Sequence, residues 1–122
     1  MDISMMTKHL RDFAKDRDWQ QFHSPKNLAM ALVVESSELL ELFQWLTEEQ
    51  SRSIVPDSED HVRCMEEIGD ILIYLLRLCD QLQINPLRAA EDKIAENELK
   101  YPIADAKGNA VKYSRREARS ND

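Results

Sequence analysis

The sequence predicts an all-α protein, and three observations carry that expectation. Two glycines and four prolines in 122 residues are too few turn formers for a many-stranded sheet fold or a glycine-rich phosphate loop. Apolar residues recur at three- and four-residue steps over long stretches, the period of a helix with one buried face. Two of those stretches open on a cap residue followed by proline, Ser24-Pro25 and Asn85-Pro86, the preferred chemistry of a helix start.

Taken in order, Ile3, Met6, Leu10 and Phe13 make the stripe of a first helix over residues 3–17. An aromatic-rich connection, Trp19 to His23, leads to the second helix, which starts at Pro25 and runs to about Leu46. Thr47-Glu48-Glu49-Gln50 and Pro56-Asp57-Ser58 read as a polar loop and the next start signal. The third helix spans Glu59 to Leu82, with Val62, Met65, Ile68, Ile71, Leu72, Leu75 and Leu78 covering more than one face. The fourth begins after Asn85-Pro86 and stops near Tyr101-Pro102, since a residue before proline is pushed out of the helical region. Residues 1–113 are expected to act as one domain, with 114–122 a flexible basic tail.

Composition narrows the function. The net charge is −7, which argues against a nucleic-acid polymer as partner, because phosphate contacts need a dense basic surface. No run approaches the ~18 apolar residues of a membrane span, and the N-terminus lacks the basic and apolar regions of a leader, so a soluble, cytoplasmic protein is expected. Cys64 and Cys79 sit inside helical stretches without metal-ligand spacing and read as small core residues. Charge is also unevenly spread. Residues 35–70 carry eleven acids against two bases, while residues 107–119 carry five bases against one acid.

Four of those acids stand on the wrong side of their helices. At ~100° per residue, Leu28, Leu32, Leu39, Leu42 and Leu46 fall within ~60° of Glu35, and Glu38 lies ~60° to the other side. On the third helix Ile71, Tyr74, Leu78 and Leu82 fall within ~60° of Glu67, with Asp70 again ~60° away. A carboxylate on a core-facing stripe is costly unless it is neutralised, paired or bound to a cation. Two i, i+3 pairs on facing helices could together surround one or more hard divalent ions, and the all-oxygen donor set favours magnesium over zinc or copper. The alternative is two ordinary solvated acidic faces. A di-iron bundle is disfavoured because neither helix has the Glu-x-x-His pair it requires.

These residues resemble the all-α nucleoside triphosphate pyrophosphatases of the MazG-like superfamily, especially the dCTP pyrophosphatase branch. The likeness rests on Arg17-Asp18-Trp19-x-x-Phe22-His23-x-Pro25-x-Asn27-Leu28, Glu35-x-x-Glu38-Leu39-x-Glu41-x-Phe43-Gln44-Trp45, and Glu66-Glu67-x-x-Asp70-x-Leu72-Ile73-Tyr74-Leu75. It continues through Lys93-x-x-x-Asn97-x-x-Lys100-Tyr101-Pro102 and Lys107-Gly108-x-Ala110-x-Lys112-Tyr113. The chain departs from the pattern at Val33-Val34-Glu35-Ser36-Ser37-Glu38, where glycine-rich spacing is usual, and at Gly69, where a larger residue is commoner. Neither change removes an acid, so they bear on packing and pocket width.

The resemblance implies hydrolysis of dCTP or a modified dCTP to the monophosphate and pyrophosphate, in the service of nucleotide-pool cleaning. It implies magnesium, with manganese as a substitute, held by Glu35, Glu38, Glu67 and Asp70. Glu38 or Glu41 would orient or deprotonate the attacking water. Trp19, His23, Trp45 and Tyr74 match positions near base and sugar, Asn97 a sugar contact, and Lys93, Lys100 and Tyr101 a phosphate-side region. A four-helix unit assembled as a dimer of dimers is the implied architecture, and the apolar run from Leu28 to Val34 independently favours a homo-oligomer. The alternatives are a pyrophosphatase for another nucleotide such as dUTP and a non-catalytic helical interaction protein.

Overall fold

The computed structural model describes residues 1–115, and every regular element among them is helical. They run α1 (Ile3–Asp16), a 3-10 turn (Gln20–Phe22), α2 (Pro25–Phe43), α3 (Glu48–Arg52), α4 (Glu59–Leu82), α5 (Pro86–Lys100) and α6 (Ile103–Ala106). The four long helices are those the periodicity marks. Most of the tail expected over residues 114–122 lies outside the described residues.

The starts are set by side-chain caps. Asp2, Ser24, Thr47, Ser58 and Asn85 each accept a hydrogen bond from the backbone N–H three residues on, satisfying donors that a helix end leaves open. Replacing Ser24, whose hydroxyl takes the Asn27 N–H at 3.1 Å, by alanine should cost about 1 kcal/mol. A denaturant melt reads that loss directly.

Three short elements correct the sequence reading. Helix α2 ends at Phe43 rather than near Leu46. The stretch read as a polar loop holds α3, because Thr47 and Gln50 form a reciprocal capping box that nucleates a single turn. The aromatic connection likewise winds into the 3-10 turn, and the region after Pro102 holds α6.

The chain forms two compact units, residues 1–84 and residues 85–122. In the first, α4 is the centre, with α2 and α1 both packed on it. His23 meets Arg77 while Glu35 meets Glu67, so α2 and α4 run antiparallel. Ala14, Leu28, Leu76 and Cys79 form the buried apolar core, and Cys64 is half-buried. Much apolar surface stays open. Met30, Val33, Val34 and Leu40 on α2 and Met65 and Ile68 on α4 are each more than half exposed.

Candidate metal centre and adjoining cavity

Glu35 and Glu38 lie on adjacent turns of α2, and Glu67 faces them from α4. Each of the three offers a carboxylate oxygen within 4.8 Å of the others. Glu38 is the exposed member, while Glu35 and Glu67 are half-buried and each keeps one oxygen, Oε2, buried with no hydrogen-bond donor. Burial and then the neighbouring Glu38 carboxyl push the Glu35 pKa up from 4.5 to about 7. Glu67 is raised for the same two reasons. Asp70, the fourth acid of the two stripes, stands outside that tight set but near enough to add its repulsion to both. Glu41 is exposed one turn beyond Glu38 on α2.

Among the described residues no cationic side chain pairs with these carboxylates, and acids crowded in this way are mutually destabilising. The orphaned Oε2 atoms are acceptors waiting for a positive centre, and an all-oxygen set on two helices suits a hard divalent cation. The arrangement therefore fits a metal ion better than a network of solvated acids.

In the same unit, α1, the 19–23 connection and α4 border an open cavity of about 530 Å³, and none of the four acids lines it. Its wall is largely apolar, from Met6, Leu10, Phe13, Leu72, Ile73 and Leu76, and it includes Trp19, His23 and Tyr74. Three of the residues matched to base and sugar contacts are thus brought into one space. Trp19 is held there by edge-on packing against Phe13 at 5.8 Å between centroids, and it contacts the His23 ring at 6.4 Å. Gly69 also lines the cavity, and a Cβ placed on it would touch nothing within 4 Å. Trp45 stands apart from that wall, 87% exposed just past the end of α2.

Lys93, Asn97, Lys100 and Tyr101 belong to the second unit. There Glu96 accepts from both Lys93 and Lys100, at 2.9 and 2.7 Å. These two ammonium groups hold the Glu96 carboxyl down at about 2. The Tyr101 hydroxyl accepts the Tyr113 backbone N–H at 3.1 Å.

Sequence reasoning missed a buried polar network at the cavity wall. Arg77, 2% exposed, donates through Nε to His23 Nδ1 at 3.2 Å and through Nη1 to Asp80 at 2.9 Å. Asp80 also takes two bonds from Arg11, at 2.7 and 3.0 Å. The Arg11 guanidinium first, and Arg77 after it, hold the Asp80 carboxyl below its ordinary range against the opposing effect of burial. The signal available was an arginine three residues after Tyr74 on the core side of α4, with an acid at i+3.

Comparison with known proteins places this geometry in a family. Residues 30–115 match the MazG-like family. The chain is 39% identical to dCTP pyrophosphatase 1 of Rattus norvegicus and 40% identical to that of Bos taurus, each over 103 residues. Those alignments cover 84% of this chain and 61% of each relative, so the chain spans about three-fifths of the length of the curated relatives it matches. A pyrophosphatase structure from Archaeoglobus fulgidus superposes with a TM-score of 0.74 at 41% identity, covering 81% of this chain and 91% of that one. With the family matched over more than half of its residues, the chain belongs to the MazG-like family.

Proposed function

We propose that this chain is a divalent-cation-dependent nucleoside triphosphate pyrophosphatase acting on dCTP or a modified dCTP, releasing the monophosphate and pyrophosphate. The observation that carries the reading is the convergence of Glu35, Glu38 and Glu67, with Asp70 near them, in a unit that also holds a cavity lined by Trp19, His23 and Tyr74. Kinship with the rat and bovine dCTP pyrophosphatases and the archaeal pyrophosphatase supports the same reaction.

Glu35, Glu38, Glu67 and Asp70 would hold the cation, magnesium by preference and manganese in its place, since the donor set is all carboxylate oxygen. Once bound, such an ion neutralises triphosphate charge, polarises the α-phosphorus and favours pyrophosphate as leaving group. Glu38 and Glu41, both exposed on α2, are the acids assigned to a water molecule. One of them orients the water in line with the α-phosphorus and accepts its proton. Trp19 offers an aromatic face to the base, with His23 and Tyr74 in the same cavity lining. Trp45, which stands apart from that cavity, is assigned to the base and Asn97 to the sugar, as the resemblance implies. Lys93, Lys100 and Tyr101 engage the phosphates. A four-helix arrangement assembled as a homo-oligomer, with a dimer of dimers as its form, would cover the open apolar faces of α2 and α4.

The test is a nucleotide panel with magnesium, assayed for pyrophosphate. dCTP is expected to be the best or near-best substrate, with activity lost on adding a chelator. Failure to release pyrophosphate from any nucleotide would overturn the reading in favour of a helical interaction protein.

A further inference from the structure

Arginine carries only donors, so the 3.2 Å contact between Arg77 Nε and His23 Nδ1 can exist only if Nδ1 is unprotonated. A neutral imidazole then bears its proton on Nε2. Arg77 is not free to give way. It is buried, tied to Asp80 through Nη1, and Asp80 is in turn clamped by two bonds from Arg11. The group that fixes the imidazole is therefore itself fixed, by a chain of bonds reaching across from α4 to α1.

Protonation of His23 would place two cations in contact and break the bond. Burial first, and the Arg77 charge second, hold the His23 pKa below its usual value. The other titratable groups lining the cavity are His9 from α1 and Tyr74 from α4.

We propose that Arg77 is a positioning residue that locks His23 as the Nε2–H tautomer, so that the cavity holds a fixed hydrogen-bond donor for position 3 of a pyrimidine and selects cytosine over uracil and thymine. All three bases carry an acceptor at O2, and uracil and thymine a second at O4, so the discrimination lies at position 3, where cytosine has a bare nitrogen and the other two have N3–H. A donor fixed at that position is satisfied by cytosine and set against a second donor by uracil or thymine, and a donor left unpaired there costs binding. The placement along α4 suits such a ligand. Arg77 follows Asp70 by seven residues, two turns or ~10 Å, so the His23 anchor and the acids sit at opposite ends of one helical face. This inference rests on reading the cavity as the base pocket of the proposed enzyme.

The test uses the full chain and the nucleoside monophosphates dCMP and dUMP, whose binding needs no turnover. In wild type, imidazole 15N NMR at pH 7.5 should show His23 neutral with the proton on Nε2, and calorimetry should show dCMP bound roughly 10-fold or more tightly than dUMP. Arg77→Met keeps the length of the stem but carries no donor, and Asp80 keeps its two bonds from Arg11. With its melt still cooperative, it should lose the single-tautomer signature and most of the dCMP preference. A wild-type His23 that is charged or protonated on Nδ1 overturns the proposal without any variant, as does equal binding of dCMP and dUMP. A folded Arg77→Met protein that keeps the full preference overturns it as well. If the monophosphate preference is found and depends on Arg77 while no nucleotide yields pyrophosphate, the hydrolytic reading falls and this one stands.

Discussion

Glu35→Gln is expected to lower the rate of pyrophosphate release by roughly 100-fold or more, a loss of about 3 kcal/mol in transition-state stabilisation. Glutamine matches glutamate in size, so the helix and its leucine neighbours need not move. What changes is the charge at a half-buried oxygen that has no donor in the protein. A neutral amide there offers its carbonyl weakly and its NH2 group not at all to a cation. Glu41→Gln provides the contrast. Glu41 is exposed and lies outside the tight carboxylate set. It should leave metal affinity unchanged by calorimetry whether or not it alters the rate. Equal activity of Glu35→Gln and wild type would remove Glu35 from the site.

The second large effect is on stability. Without a cation, Glu35 titrates at about 7 in the folded chain against an ordinary value of 4.5. Between those values the folded protein holds a proton that the unfolded chain has released, so stability falls as pH rises through this window. A divalent ion displaces that proton and reverses the penalty. Magnesium at ~100 times its dissociation constant should stabilise the protein by about 2.7 kcal/mol, or roughly 10 °C in melting temperature for a chain of this size. The gain should be larger at pH 8 than at pH 5.5, where protons compete for the same oxygens. Thermal melts with magnesium or a chelator at the two pH values measure it. In Glu35→Gln the fall in stability between pH 5 and 7 should be reduced in the metal-free protein to what Glu67 contributes, and the magnesium gain should shrink. A magnesium gain that is absent at both pH values in wild type would count against the centre.

The long helices and the acid cluster were legible in the sequence for one reason, the fixed angular step of the helix. Ser24-Pro25 and Asn85-Pro86 mark starts because capping is local, and the same step that puts Leu28 and Leu39 inward puts Glu35 with them. Elements of three to five residues were not legible, because a turn that short has no period to detect. The capping box at Thr47 was the one cue available for α3. The network at the cavity wall was hidden for a different reason. Arg77 and His23 are 54 residues apart, and Arg11 and Asp80 are 69 apart. Those pairings depend on how α1 and the 19–23 connection settle on α4, which no single stretch of sequence encodes.

That α4 carries both Asp70 and Arg77 on one face makes the helix a ruler. In the proposed enzyme its rise per residue would fix the spacing between the end assigned to phosphate and the end assigned to base. Molecular length would then be a criterion of selection in its own right. A bare triphosphate would engage only the acidic end, a free base only the far one, and a ligand whose sugar spans the interval would meet both at once.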